Sequence, residues 1–302
     1  MEEDSLSIAT KIKNRTQWLL SFPISWGTRL FAGCPTVISE EDSLKRIILN
    51  SASVARYGDG EFNLIWGNNI DFQTVSEVLS KSLSDILKLE DEKFMVCIPH
   101  EFYDTESLIK EAADYWKRYE RTNCLPIRRS LKKGKIYYSA SISRFYRKRK
   151  NKAECGKFVE LWKQVWDKRD IVFVEGDKSR LGVGNDLFDN AKSVRRILCP
   201  SINAFDHYEA IVAAIENKVE KKALLLLALG PTATVLAYDL YKRGYQAIDV
   251  GHIDIEYEWM RMGVTDKVAV KNKYTNEVED GKEIGELNDA EYLNQIIEKV
   301  GC

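Results

Sequence analysis

Short runs of consecutive apolar residues alternate along this chain with longer segments in which apolar residues recur every three or four positions. The first pattern predicts buried strands, and the second predicts amphipathic helices. Runs without a polar residue, such as residues 224–229, are typical of a parallel sheet covered by helices on both faces. We therefore predict a single α/β domain with a doubly wound, mostly parallel sheet. Strands are expected at residues 53–57, 94–98, 171–175, 196–199, 224–229 and 246–250, and helices at residues 41–51, 75–87, 105–119, 154–166, 185–191, 205–219 and 232–243.

Two segments depart from this alternation. We predict an amphipathic arm over residues 1–39, where Trp and Phe residues lie among Lys and Arg, followed by one domain over residues 40–302. Residues 117–152 contain 14 Lys or Arg and one acidic residue, and we interpret them as an insertion. Aromatic residues among cations suit the surface of an anionic membrane, which suggests peripheral membrane contact. The alternative is that the aromatic residues pack against the core or against a second subunit in a homodimer, while the cations form a solvated face.

Composition and charge narrow the classes of function. The chain has 302 residues, 44% of them hydrophobic and 30% charged, with a formal net charge of −1. This balance argues against a nucleic-acid-binding protein, which needs a concentrated basic surface. The sequence has no apolar run of 18 residues, no signal-peptide pattern and no C-x-x-C motif among its six cysteines. We expect a cytoplasmic protein without a structural zinc site or a disulfide framework.

An Asp-x-Glu motif follows the first predicted strand, within the segment RYGDGEFNLIWG that begins at Arg56. Gly58 and Gly60 flank the acidic residues Asp59 and Glu61, so we expect a turn that directs both carboxylates at one cation. Mg²⁺ and Mn²⁺ prefer carboxylate oxygens and keep positions open for substrate phosphates. The motif therefore indicates a metal-bridged nucleotide diphosphate, and ordinary turn chemistry is the alternative.

Two further motifs follow predicted strands. Gly230-Pro231-Thr232-Ala233-Thr234 opens a helix, where free N–H groups and threonine hydroxyls suit a phosphate or a sugar hydroxyl, unless the threonines only cap the helix. The loop from Lys178 to Asp186 contains Arg180 and Gly182-Val183-Gly184-Asn185. It lacks the third glycine of a dinucleotide fingerprint, so NAD binding is not supported. Arg180 would offset a diphosphate and Asn185 would contact the base or ribose; solvated loop charge is the alternative.

An acid-rich segment follows the strand predicted at residues 246–250. It contains His252, Asp254, Glu256 and Glu258. On a helix, Asp254 and Glu258 share a face and Glu256 points away, whereas on an extended turn all three share a side. One of these side chains is the expected general base for an acceptor hydroxyl, or a further metal ligand. A buried structural role for His252 is the alternative.

Ligands of open parallel sheets collect beyond the carboxyl ends of the strands, and all four motifs are predicted there. With these motifs, residues 40–280 resemble the GT-D glycosyltransferases, a family first catalogued as a domain of unknown function and later linked to glucosylation of streptococcal serine-rich adhesins. The resemblance implies a Rossmann-like sugar-nucleotide transferase in which Asp59 and Glu61 serve the metal and the donor diphosphate. We predict that the donor is bound by Arg56, Gly58, Arg180, Gly182, Gly184, Asn185, Asp186, Gly230, Pro231, Thr232 and Thr234.

The sequence therefore predicts a cytoplasmic glycosyltransferase that depends on Mn²⁺ or Mg²⁺. It would move a hexose, expected to be glucose, from a UDP-sugar to an acceptor hydroxyl. The acceptor would be a glycan on a surface glycoprotein or a lipid-linked polysaccharide intermediate. Two alternatives use the same phosphate-binding parts: a nucleotide-processing hydrolase or phosphorylase, and a non-catalytic nucleotide-sugar-binding partner of another transferase.

Overall fold

The computed structural model describes residues 35–275 and 277–302, so most of the predicted arm lies outside the described residues. Within those ranges, nine strands form one sheet in the order β1-β4-β3-β2-β8-β7-β5-β6-β9. Every neighbouring pair is parallel, which confirms the predicted doubly wound α/β fold. The strands are β1 (Thr36–Ile38), β2 (Ser53–Arg56), β3 (Phe94–Ile98), β4 (Ile136–Ser139), β5 (Asp170–Gly176), β6 (Ser193–Cys199), β7 (Leu224–Ala228), β8 (Gln246–Asp249) and β9 (Ile296–Lys299).

Helices cover both faces of this sheet, and the side chains of β7 show the division. Leu225 and Leu227 belong to one buried core, while Leu224 and Leu226 belong to the other. Successive residues of a strand point to opposite faces, so an unbroken apolar run supplies both cores. The described helices are α1 (Glu40–Asn50), α2 (Asp59–Ile65), α3 (Glu77–Leu87), α4 (Lys110–Ser130), α5 (Cys155–Trp166), α6 (Tyr208–Lys218), α7 (Pro231–Lys242), α8 (Ile253–Met262) and α9 (Ala290–Gln295).

The two halves of the chain meet at the centre of the sheet, between β2 and β8. Val54 pairs with Ile248 there, and the Ala247 N–H donates to the Ser53 hydroxyl at 3.0 Å. The chain leaves β2 toward β3 and β4 on one side, whereas it enters β8 from β7 on the other. The loops after β2 and β8 therefore lie side by side at the point where the strand order reverses, which is where open α/β sheets bind ligands.

The predicted insertion is wrong. Residues 117–152 include the second half of α4 and strand β4, which pairs with both β1 and β3. The exposed face of α4 is rich in Lys and Arg, and these cations obscured the helical period of its buried residues Trp116, Cys124 and Ile127. Thr36–Ile38 also joins the sheet, so the sheet begins within the segment predicted as an arm.

The helix predicted at residues 185–191 is also wrong, since the structure has turns there. Gly182 and Gly184 adopt φ values of +75° and +79°, and the Asn185 side chain accepts a hydrogen bond from the Leu187 N–H at 3.1 Å. Asparagine side chains that bond their own backbone in this way compete with helix formation. No helix of the described part of the chain is both long and apolar enough to cross a membrane.

Candidate active site

A cleft of about 870 Å³ lies at the carboxyl ends of the strands. Its wall is formed by the loops after β2 through β8 and by a C-terminal segment that includes Lys267, Tyr274 and Glu277. The cleft brings together predicted residues from three of the four motifs. The predicted residues that line it are Arg56, Gly58, Asp59, Glu61, Gly230, His252 and Asp254.

Asp59 and Glu61 lie in the first turn of α2, not in an open turn as predicted. Gly58 is the residue before the helix, and its N–H donates to Glu61 Oε2 at 2.6 Å. A Cβ atom at position 58 would come within 3.3 Å of that same oxygen, so a glycine fits best here. Burial raises the pKa of the Glu61 carboxyl to about 7, although the hydrogen bond from Gly58 opposes the shift. The first turn of α2 thus holds Glu61 in place at the cleft wall.

Asp59 is held by Tyr115. The Tyr115 hydroxyl, on α4, donates a short hydrogen bond to Asp59 Oδ2. Burial raises the pKa of Tyr115, and the nearby Asp59 charge adds to the shift, so the phenol is a donor here. A carboxylate offers about four lone-pair positions, so Asp59 and Glu61 both keep capacity for another ligand.

The residues present fit a hard divalent cation. Asp59 and Glu61 supply only oxygen donors at an open cleft, which is the chemistry that Mg²⁺ and Mn²⁺ prefer. Within residues 35–275 and 277–302, no three His, Cys, Asp or Glu side chains converge closely enough to hold a metal alone. Phosphate oxygens and water would therefore have to complete the coordination, as is usual for Mg²⁺ with nucleotide substrates.

Arg56 ties the two central strands together beneath the carboxylates. Its Nη1 lies 3.3 Å from Asp249 Oδ1, and its Nε donates to the Ala140 carbonyl at 3.0 Å. Gly251 makes this possible, since its φ is +50° and a Cβ there would come within 1.9 Å of Arg56 Nη1. The Thr234 hydroxyl completes the network by donating to Asp249 Oδ2 at 3.2 Å. Arg56 therefore joins β2 to Asp249 at the end of β8 and to the segment after β4.

The helix start after β7 contributes its glycine to the cleft but not its threonines. Gly230 lines the cleft with φ +53° and packs closely on Phe72, whereas Thr232 and Thr234 are buried. Neither threonine caps the helix, because Gly230 occupies the capping position and Pro231 follows it as the first helical residue. Their predicted contact with the donor is therefore not supported by their position.

The loop with Arg180 lines the cleft through Ser179 and Leu181, but the Arg180 side chain points away from it. Arg180 is 3% exposed and donates to the carbonyls of Asn272 at 2.9 Å and Gly285 at 2.7 Å. The Asn185 amide donates to Asp254 Oδ1 and Glu258 Oε1. These contacts pack the loop against α8 and the C-terminal segment. None of the predicted donor residues Arg180, Gly182, Gly184, Asn185 and Asp186 lines the cleft.

The four acid-base candidates after β8 are separated by α8. Asp254 and Glu258 share one face, as the helical alternative predicts, and both lie close to Lys273. Glu256 points away and accepts hydrogen bonds at 2.9 Å from the N–H groups of Tyr146 and Arg147. These partners hold Asp254, Glu256 and Glu258 in buried positions.

His252 contacts the cationic wall of the cleft. Arg144 Nη2 lies 3.0 Å from His252 Nδ1, and Glu277 Oε1 lies 3.7 Å from His252 Nε2. An arginine only donates, so His252 Nδ1 is the acceptor and the ring proton resides on Nε2. Burial opposes the change, but the Arg144 and Lys267 cations lower the pKa of the Glu277 carboxyl far below its usual range.

Several cleft residues were missed by sequence reasoning. Arg144, Arg147 and Lys148 come from the loop after β4, and Tyr115 and Trp116 come from α4. The available signal was strand β4, Ile136–Ser139, whose carboxyl end leads directly to Arg144. Residues 117–152, the basic stretch, were interpreted as an insertion at the surface. Their cations were therefore not assigned to the cleft.

A family model for the glycosyltransferase GT-D fold matches residues 54–278. Two streptococcal relatives are each 39% identical: a probable glycosyl transferase Gly of Streptococcus gordonii, over 263 residues, and glycosyltransferase GlyD of Streptococcus pneumoniae serotype 4, over 264 residues. These alignments cover 87% and 86% of this chain but only 38% and 32% of the relatives. The chain thus spans about a third of the length of the curated relatives it matches.

Solved structures agree with the family match. A structure described as the highly conserved domain of unknown function 1792, with a distinct glycosyltransferase fold, is 40% identical with a TM-score of 0.86. The match covers 92% of this chain and 100% of that one. A second structure, described as a new glycosyltransferase (DUF1792) from Streptococcus sanguinis, is 38% identical with a TM-score of 0.84, covering 89% of this chain and 100% of that one.

Proposed function

This chain belongs to the GT-D family of glycosyltransferases, and from that membership we propose that it moves a hexose from a UDP-sugar to an acceptor hydroxyl with the help of Mn²⁺ or Mg²⁺. Glucose is the proposed hexose. The proposed acceptor is a glycan on a surface glycoprotein or a lipid-linked polysaccharide intermediate. A cytoplasmic location, peripheral membrane contact and a homodimer stay further proposals.

The observation that carries this proposal is the position of Asp59 and Glu61. Both carboxylates line the cleft beside the central seam of the sheet, where β2 and β8 meet. They would hold the cation, which when bound supplies positive charge to stabilise the diphosphate leaving group. Tyr115 and Gly58 fix the two carboxylates by hydrogen bonds, so little reorganisation is needed when the donor binds.

Cations of the cleft would contribute to leaving-group stabilisation. Arg144, Lys148 and Lys267 line the same cleft, and burial lowers the pKa of Lys148. A desolvated cation is costly unless an anion approaches it, so a bound diphosphate would be stabilised by these side chains. We propose them, in place of Arg180, as the cations that offset the diphosphate charge.

His252 is the proposed proton acceptor for the acceptor hydroxyl. Among the four candidates after β8, His252 and Asp254 line the cleft, and Asp254 is already paired with Lys273. A base in a buried ion pair accepts a proton poorly, because its charged form is stabilised. The His252 lone pair on Nδ1 faces Arg144, so the acceptor hydroxyl would have to replace that contact.

Nucleotide binding tests this proposal directly. In a thermal-shift series with UDP, UDP-glucose, ADP and GDP, with and without Mn²⁺, we expect selective stabilisation by the uridine nucleotides that depends on the metal. A ligand at a hundredfold excess over its Kd stabilises by about 2.7 kcal/mol. The matched control is Asp59→Asn, which should keep the fold and lose the effect of Mn²⁺. Equal stabilisation by all nucleotides, or no effect of the metal, would contradict the proposal.

A further inference from the structure

The cleft-facing side of α4 has the chemistry of a sugar-binding surface. Glu111, Ala112, Tyr115 and Trp116 all line the cleft, and their spacing of one, three and four residues puts them on one helix face. We propose that this face is the subsite for a pyranose ring of the acceptor glycan, with Tyr115 as the stacking platform. This inference rests on the proposed function and adds the acceptor position to it.

The Tyr115 ring is both fixed and open. Its hydroxyl is bound to Asp59, and the ring packs edge-on against Trp116 at 5.3 Å and parallel to Tyr119 at 6.2 Å. Even so, Tyr115 is 44% exposed, the exposure of a surface residue. A rigid aromatic ring loses little conformational entropy when a ligand packs on it. The exposed ring surface therefore suits the apolar C–H face of a pyranose.

Polar groups beside the ring complete the surface. Trp116 is 6% exposed, and its Nε1 has no hydrogen-bond partner among the residues that the structure describes. Because this nitrogen is buried, Trp116 supports the surface by packing edge-on against Tyr115. The exposed Glu111 carboxylate offers acceptors, and Lys148 Nζ lies 5.2 Å from the Trp116 ring. Hydroxyl groups around a sugar ring both donate and accept, and so they match this mixed set.

The position relative to Asp59 assigns this surface to the acceptor. Asp59 and Glu61 follow β2, near the centre of the strand order, so the diphosphate is proposed there. On one side, the loops after β5, β6 and β7 line the cleft with Gly176, Ser201 and Gly230. That side suits the nucleoside of the donor. The α4 surface is on the other side, one hydrogen bond from Asp59, where an acceptor must lie to reach the transferred sugar.

Saturation-transfer NMR on the full chain tests the subsite. The probes are methyl β-D-glucopyranoside, methyl β-D-galactopyranoside and methyl N-acetyl-β-D-glucosaminide, added to protein saturated with UDP and Mg²⁺. We expect transfer to the ring C–H protons in the wild type and in Tyr115→Phe, and about a tenfold loss in Tyr115→Ala. Both variants lack the hydroxyl and differ only in the ring. Tyr241→Ala is the matched control, because Tyr241 also bonds an aspartate, Asp91, but lies outside the cleft.

Calorimetry of UDP binding in the same proteins separates the two proposals. The subsite proposal expects equal UDP affinity in Tyr115→Phe and Tyr115→Ala. It is overturned if Tyr115→Ala keeps the wild-type signal, or if the wild type gives no signal with any pyranoside while UDP binds. It is also overturned if only Tyr115→Ala loses UDP affinity, since the ring would then serve the donor. Failure of the wild type to bind UDP would instead refute the proposed function.

Discussion

Lys273 and Asp254 form a buried ion pair in which Nζ lies 2.5 Å from Oδ2, with side chains 2% and 4% exposed. Lys273 is also 3.1 Å from Glu258, so this one cation joins α8 to the C-terminal segment that closes the cleft. The pair explains how two of the acidic residues after β8 can be buried.

Breaking this pair should destabilise the fold. We expect Asp254→Asn to lower the free energy of unfolding by about 2–3 kcal/mol, because Lys273 keeps Glu258 but loses its closer partner. The control is Asp85→Asn, which removes the exposed pair with Lys81 and should cost less than about 0.5 kcal/mol. Urea unfolding measures both. Equal losses of stability in the two variants would show that the buried pair stabilises the fold no more than the exposed pair does.

Loss of either carboxylate of the Asp-x-Glu pair should abolish most of the transfer. We expect Asp59→Asn and Glu61→Gln each to reduce kcat/KM by on the order of 10²-fold, since each removes charge from the proposed cation site. A glutamine still accepts the Gly58 N–H, so the start of α2 should survive in Glu61→Gln. Turnover is measured with circular dichroism as the folding control. Near-normal rates in both variants would exclude a role for the pair.

Gly251 should be intolerant of a side chain. Gly251→Ala combines a left-handed backbone with a clash against the Arg56 guanidinium, and we expect it to cost about 3 kcal/mol or more. Gly263→Ala is the matched control, because Gly263 has φ +68° and open space around its Cα. Its cost should be about 1 kcal/mol. If thermal and urea unfolding show the same loss of stability for both variants, the position of the Arg56 side chain does not require a glycine at residue 251.

Lys135 should make stability depend on pH. Burial lowers its pKa to about 7, so above that pH the folded chain has released a proton that the unfolded chain keeps up to its ordinary pKa of 10.5. The buried charge of Lys135 therefore lowers the free energy of unfolding by its full amount below pH 7. This loss of stability disappears as the pH rises toward 10.5. We expect Lys135→Met to be more stable than the wild type at pH 6, and this advantage to shrink steadily as the pH rises toward 10. Lys133→Met, at an exposed position, should show no such trend in urea unfolding.

Membrane contact can be tested with anionic liposomes. Part of the basic stretch is not available for lipid, since Lys135 and Arg147 are buried and Lys152 donates to the carbonyls of Tyr146 and Arg147. If the exposed cations and the arm still bind, each cation contributes about 1 kcal/mol at low salt. We expect co-sedimentation with phosphatidylserine vesicles that 0.5 M salt reverses. Protein that stays in the supernatant at low salt would favour a soluble acceptor.

The sequence predicted the central strands well because they are continuous apolar runs with glycine or polar residues after them. Strand β3 was predicted at its observed bounds, Phe94–Ile98. The edge strands β1 and β9, and strand β4 beside β1, were not predicted, because strands of three or four residues carry too few buried positions to form a pattern.

The same difference separates the predicted and missed parts of the site. Asp59, Glu61 and Gly230 follow recognised strands, so their place in the cleft could be predicted. Tyr115 could not, because it comes from a helix face whose register depends on how α4 packs. Arg180 was assigned to the donor from its charge and loop position, but its contacts with two backbone carbonyls depend on a distant C-terminal segment.

The seam between β2 and β8 also bears on how the protein folds. The bond between Ala247 and Ser53 spans 194 residues of chain, so the two strands that flank the cleft meet only after a very long loop closes. Such non-local pairing slows folding, and until it occurs β2 presents an open edge that other chains can pair with. We therefore expect slow refolding with aggregation as its competitor. Neither half of the chain alone should bind nucleotide, because the cleft exists only once both have joined.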